Sequence, residues 1–112
     1  MRAKQHLGER LQKLSYQVRY TREAKEDIER LYVFLLEQDF QAARRARAAI
    51  GKAMVFLEDF PFSCQKISPG NPFLREMLIP FGNRGYVALY EIEDKKTVTI
   101  LAIRHQREED YY

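Results

Sequence analysis

A chain of 112 residues and 13.3 kDa has the length of one domain with one core. Hydrophobic residues make up 46% of it and aromatics 12%, an ordinary globular balance that excludes a wholly disordered or low-complexity chain. No apolar run approaches the roughly 18 residues of a membrane-spanning helix, and the opening MRAKQHLGERLQKLS lacks both the apolar stretch and the cleavage site of a secretory signal. A cytoplasmic setting with no membrane partner is therefore expected. The single Cys64 leaves no internal disulfide, and one cysteine with two histidines predicts no structural metal site and no cofactor.

The formal net charge of +3 is unevenly spread. Residues 1–22 carry +5, 23–43 carry −4, 44–84 carry +4 and 85–112 carry −2. Segmentation of this kind describes either solvated helix faces or a recognition surface for a partner of opposite charge.

Along the chain, residues 1–14 are polar and basic, with Leu7, Leu11 and Leu14 at helical spacing, and are expected to form a helical or frayed extension. Tyr16, Val18 and Tyr20 then alternate with Gln17 and Arg19, the period of a half-buried strand. Thr21 is placed to cap a helix over 22–37, in which Ala24, Ile28, Leu31 and Leu35 form the apolar stripe. Glu23, Glu26, Asp27 and Glu29 load its early turns with charge that suits the helix dipole. Asp39 caps a second helix with Ala43, Ala46, Ile50, Met54 and Leu57 as its stripe, ended by Phe60 and Pro61. The segment Pro61 to Phe73 holds three of the four prolines and predicts a loop. Three strand patterns follow, Leu74 to Ile79, Gly85 to Ile92 and Thr97 to Ile103, joined by short turns at 80–84 and 93–96. Connections this short predict an antiparallel meander. The order β-α-α-β-β-β predicts an α+β domain over 15–112, an antiparallel sheet with a helix hairpin packed on one face.

The chemistry-bearing candidates are Arg75, Arg84, Arg104, His105 and Arg107. Guanidinium groups bind phosphates bidentately and imidazole moves protons near neutral pH, so a convergent set could cleave RNA without a metal. Spread around the sheet edge, the same residues are solvated charge; as a recognition surface, Arg75, Arg84, Arg104 and Arg107 are the target- or phosphate-binding candidates. Cys64 with His105 is a further nucleophile and base combination, but nothing in the sequence brings the two together.

Three pieces of the C-terminal half are similar to one family: Leu74-Arg75-Glu76, Gly85-Tyr86-Val87-Ala88-Leu89-Tyr90, and Ile100-Leu101-Ala102-Ile103-Arg104-His105-Gln106-Arg107-Glu108. Together with Tyr20-Thr21-Arg22-Glu23-Ala24, Asp27 and Ile28, this ordered set resembles the RelE/ParE toxin superfamily, and within it the ParE-like, plasmid-stabilisation branch, over about residues 15–110. The resemblance implies the toxin of a type II toxin–antitoxin module, which inhibits growth and is neutralised in a hetero-oligomer with a cognate antitoxin protein. RelE-like members cut messenger RNA in the ribosome, whereas ParE-like members are associated with poisoning DNA gyrase. Carried over to the cleaving branch, Arg75 would bind phosphate, and His105 with Arg104 would occupy the catalytic C-terminal region. The acidic base of some RNA-cleaving members has no counterpart here, and Arg104-His105-Gln106-Arg107 followed by acids replaces their final motif. These departures favour a gyrase inhibitor over a ribosome-dependent endonuclease. An antitoxin segment meeting the 44–84 block is expected to be acidic.

Overall fold

The computed structural model describes residues 15–106. The 1–14 extension and Arg107 therefore lie outside the described residues. The alternating Tyr16–Tyr20 segment forms β1 (Gln17–Tyr20), and α1 (Arg22–Leu36) and α2 (Phe40–Asp59) follow where their caps and stripes place them. The Thr21 hydroxyl accepts from the Ala24 N–H at 3.0 Å, and the Asp39 carboxylate accepts from the Gln41 and Ala42 N–H groups. All five stripe residues of α2 are buried, as are Ala24 and Leu31 of α1, with Ile28 and Leu35 packed against the same core. Neither helix is long and apolar enough to cross a membrane.

The remaining strands are β2 (Gln65–Ser68), β3 (Asn71–Phe81), β4 (Arg84–Ile92) and β5 (Thr97–His105). The expected meander is β3-β4-β5, antiparallel throughout. Gly82, at φ 62°, opens a two-residue hairpin loop between β3 and β4, the left-handed first position such a turn favours. The α+β class and the helix hairpin on one face stand, and the sheet is larger than a meander. Its five strands run in the order β1-β5-β4-β3-β2, with β1 parallel to β5, so the sheet is mixed rather than wholly antiparallel. The intervening helices and meander carry the chain across to that edge.

The segment expected as loop also contains β2, antiparallel to the start of β3 with Gln65 opposite Glu76. All four β2 residues are exposed, so no burial alternation marked them as a strand; the pairing comes from its neighbour.

The core-facing side of the sheet is Met77 and Ile79 of β3, Tyr86, Ala88, Tyr90 and Ile92 of β4, and Val98, Ile100 and Ile103 of β5. The odd step from Ile100 to Ile103 has a cause. Leu89 pairs with Ala102 and Tyr90 with Ile100, leaving Leu101 as the extra residue of a β-bulge. The bulge falls just where β1 ends, at the Tyr20–Ile100 pair. Beyond it the start of α1 takes over: the Thr21 N–H donates to the Ile100 carbonyl at 3.0 Å, the Thr21 hydroxyl donates to the Leu101 carbonyl at 3.1 Å, and the Ile103 N–H donates to the Asp27 carboxylate at 3.0 Å. Backbone groups that a longer β1 would have satisfied are thus satisfied by a helix.

Candidate functional site at one end of the sheet

Because β4 begins where β3 and β5 end, the register brings Arg84, Arg104 and His105 to one end of the sheet, with Tyr86 opposite His105 and Val87 opposite Arg104. The pleat then divides them. Tyr86 lies on the helix-covered face, so its partner His105 shares that face, while the exposed Arg104 follows Val87 onto the open one. Without the Leu101 bulge the two side chains would exchange faces.

Under His105 is an aromatic stack. The His105 and Tyr86 rings meet edge to face with centroids 5.6 Å apart, and Phe81 stacks on Tyr86 at 5.6 Å with 23° between planes. Tyr86 is 1% exposed, and burial raises its hydroxyl above the ordinary pKa of 10.0, keeping it neutral at physiological pH. Gly85, beside it, is sterically required: at φ 128°, a Cβ there would lie 2.3 Å from the Ile79 carbonyl oxygen. Tyr86 also lines a groove of about 250 Å³ between the helices, whose rim carries Lys25, Glu29, Tyr32 and Arg47. The Arg47 guanidinium sits over the Tyr32 ring at 5.3 Å. Arg47 and Lys25 bring two further cations near this end of the molecule. They belong to different helices, and only the pairing of the helix faces relates them, so no strand pattern in the sequence points to them.

Arg75 is elsewhere. It pairs with Tyr90, and residue 84 lies six positions before residue 90 on β4, roughly 20 Å along the strand. Its guanidinium is also engaged: Nε donates to the Pro72 carbonyl at 2.8 Å, and one terminal nitrogen donates to the Phe62 and Cys64 carbonyls at 2.8 and 2.9 Å. The group lies over the Phe62 ring at 5.2 Å, and Phe62 meets Phe73 edge-on at 6.3 Å. Arg75 thereby ties the chain after α2 to the start of β3. Tyr90 secures the same connection from below, its buried hydroxyl donating to the Pro61 carbonyl at 2.7 Å. Burial and the neighbouring Cys64 push that hydroxyl far above its ordinary value. Cys64 therefore sits with Arg75 and Tyr90, away from the end that carries His105.

This arrangement presents cations and a ring-supported imidazole at one end. It can recognise an acidic surface. It does not assemble Arg75 with His105 around one phosphate.

The ParE toxin family of the type II toxin–antitoxin system parDE matches residues 18–110. Toxin RelE1 of Caulobacter vibrioides is 36% identical over 69 residues, 62% of this chain and 71% of that protein. A chain in the structure titled "Chromosomal ParDE TA system from P. aeruginosa" shares the fold, with a TM-score of 0.64 at 18% identity, over 81% of this chain and 96% of that one. The fold thus occurs in a protein of known structure, and the chain belongs to the ParE toxin family of the RelE/ParE superfamily, the toxins of type II toxin–antitoxin modules.

Proposed function

We propose that this toxin acts in the cytoplasm by binding and poisoning DNA gyrase, and that a cognate antitoxin protein holds it inactive in a hetero-oligomer. The observation that carries the choice of target is the dispersal of the nuclease candidates. Arg75 is bonded to three carbonyls about 20 Å from Arg84 along the sheet, and the pleat separates Arg104 from His105. Metal-independent RNA cleavage needs a base, an oxyanion stabiliser and an acid within reach of one phosphate. Binding needs only a complementary surface.

A ribosome-dependent endonuclease is the second reading, favoured by the relative named Toxin RelE1 and by the joint presence of Arg84 and His105 at one sheet end.

Pulse labelling within minutes of inducing the chain without an antitoxin separates the two. Early loss of DNA synthesis with filamentation, while amino-acid incorporation continues, supports gyrase; immediate loss of amino-acid incorporation supports RNA cleavage. Unchanged supercoiling by gyrase at saturating purified protein would refute the first reading. Failure to inhibit growth would refute both.

A further inference from the structure

Tyr86 stands on the helix-covered face of β4, so the part of it that reaches the groove between α1 and α2 is the tip of its side chain. The ring itself is held by Phe81 and His105. Tyr86 is 1% exposed, yet its hydroxyl has no hydrogen-bond partner among the described residues, and burial is the cause of its raised pKa. Tyr90, buried on the same face of the same strand, shows the ordinary solution, its hydroxyl donating to the Pro61 carbonyl. A phenol this buried, turned into a groove without an acceptor, leaves a donor for a ligand to satisfy.

Around that donor the groove is apolar and small. Its walls include Leu31 of α1 with Ala46 and Ile50 of α2, all three buried, and the alanine leaves room that a longer side chain would fill. At about 250 Å³ the space suits a single small ring rather than a drug-sized molecule. The mouth is charged: Lys25 and Arg47 against Glu29 leave one net positive charge there. Neither cation is in an ion pair among the described residues. The Arg47 guanidinium lies over the Tyr32 ring at 5.3 Å, which fixes its plane and leaves its N–H edge to meet a planar anion.

We propose that this groove is a binding site for a small planar monocarboxylate whose buried end carries a neutral hydrogen-bond acceptor, the chemistry of a pyridine carboxylate. The ring lies against Leu31, Ala46 and Ile50, its acceptor receives the Tyr86 hydroxyl, and the carboxylate meets Arg47 and Lys25 at the mouth. One negative charge matches the mouth, and a second would meet Glu29. The site holds whichever target the toxin strikes.

The test uses the full chain in NMR titrations with nicotinate, isonicotinate, benzoate, which lacks the ring acceptor, and nicotinamide, which lacks the charge. The better pyridine carboxylate is expected to shift the amides of Leu31, Ala46, Ile50 and Tyr86 with a Kd of about 1 mM or below, the range for a ligand this small. Benzoate and nicotinamide are each expected to bind at least about fivefold more weakly. Tyr86→Phe keeps the ring and removes the donor; it is expected to bring the pyridine carboxylate down to the affinity of benzoate and to leave benzoate within about twofold. Arg47→Gln, an exposed change, is expected to weaken both kinds of carboxylate at least about threefold and to leave nicotinamide within about twofold. Equal binding of benzoate, equal binding of nicotinamide, or no shift of the groove amides up to about 10 mM would overturn the proposal. Shifts centred on Arg84 and Arg104 in place of the groove would overturn it in favour of carboxylate adhering to surface arginines. Should Tyr86→Phe fail to fold, the comparison of benzoate with the pyridine carboxylates on the native chain decides alone.

Discussion

Arg75 offers the sharpest division between a structural and a target-binding arginine. Three of its five N–H donors reach the carbonyls of Phe62, Cys64 and Pro72, and its face covers Phe62. The bond to Cys64 is partly buried and the other two are exposed. A partly buried bond from a charged donor contributes about 1.5 kcal/mol and each exposed one about 0.5 kcal/mol, with about 0.5 kcal/mol from the ring contact. Arg75→Ala is therefore expected to cost about 2–3 kcal/mol, which for a domain of this size lowers the melting temperature by about 10–20 °C. Arg75→Lys should recover only a minor part, because a single ammonium cannot hold the planar fork to three carbonyls. Urea denaturation of the purified variants, read beside growth inhibition at a temperature where Arg75→Ala remains folded, decides the matter. Retained toxicity with lost stability is the expected pair. A variant that keeps wild-type stability and loses toxicity would refute the clamp and return the guanidinium to the target surface.

Other perturbations read other parts of the fold. Gly85→Ala puts a methyl group against the Ile79 carbonyl at a backbone angle that L side chains rarely adopt, and is expected to cost at least about 2 kcal/mol in thermal denaturation. Asp27→Ala removes the acceptor for the Ile103 N–H; a loss of about 1–2 kcal/mol is expected, with faster exchange of the Ile103 amide than of the Ile100 amide, which lies on the near side of the bulge. The hydroxyls of Tyr20, Tyr86 and Tyr90 all have folded-state pKa values raised above 10.0, chiefly by burial. Their neutral forms are favoured by folding, so this contribution is complete below pH 10 and is lost as pH rises above it toward the folded values. Tyr90→Phe should flatten that alkaline decline in a denaturation series. It should also cost about 1 kcal/mol at pH 7 by leaving the Pro61 carbonyl without its donor.

What the sequence makes legible and what it hides divide along the reach of each interaction. The caps at Thr21 and Asp39, the two helix stripes and the β3-β4-β5 meander depend on residues close in sequence, where periodicity and short turns carry the information. The strand β2 and the parallel β1–β5 pair depend on partners far along the chain. An exposed QKIS segment has no pattern of its own, and Tyr16 to Tyr20 alternates whichever edge it joins.

The candidate site shows the same division more severely. Arg104 and His105 are neighbours in the text, and a strand read as uninterrupted would set Arg104 on the face of Val98 and Ile100. One extra residue at Leu101 reverses this, seating His105 on the Tyr86 ring and turning Arg104 to the open face. That residue is tolerated because Thr21 and Asp27, some 80 positions earlier in the chain, satisfy the backbone beyond the end of β1. Asp27 stands among the residues that resemble the family, and its bond to Ile103 gives it a physical reason to be there: it fixes the strand end on which His105 is carried.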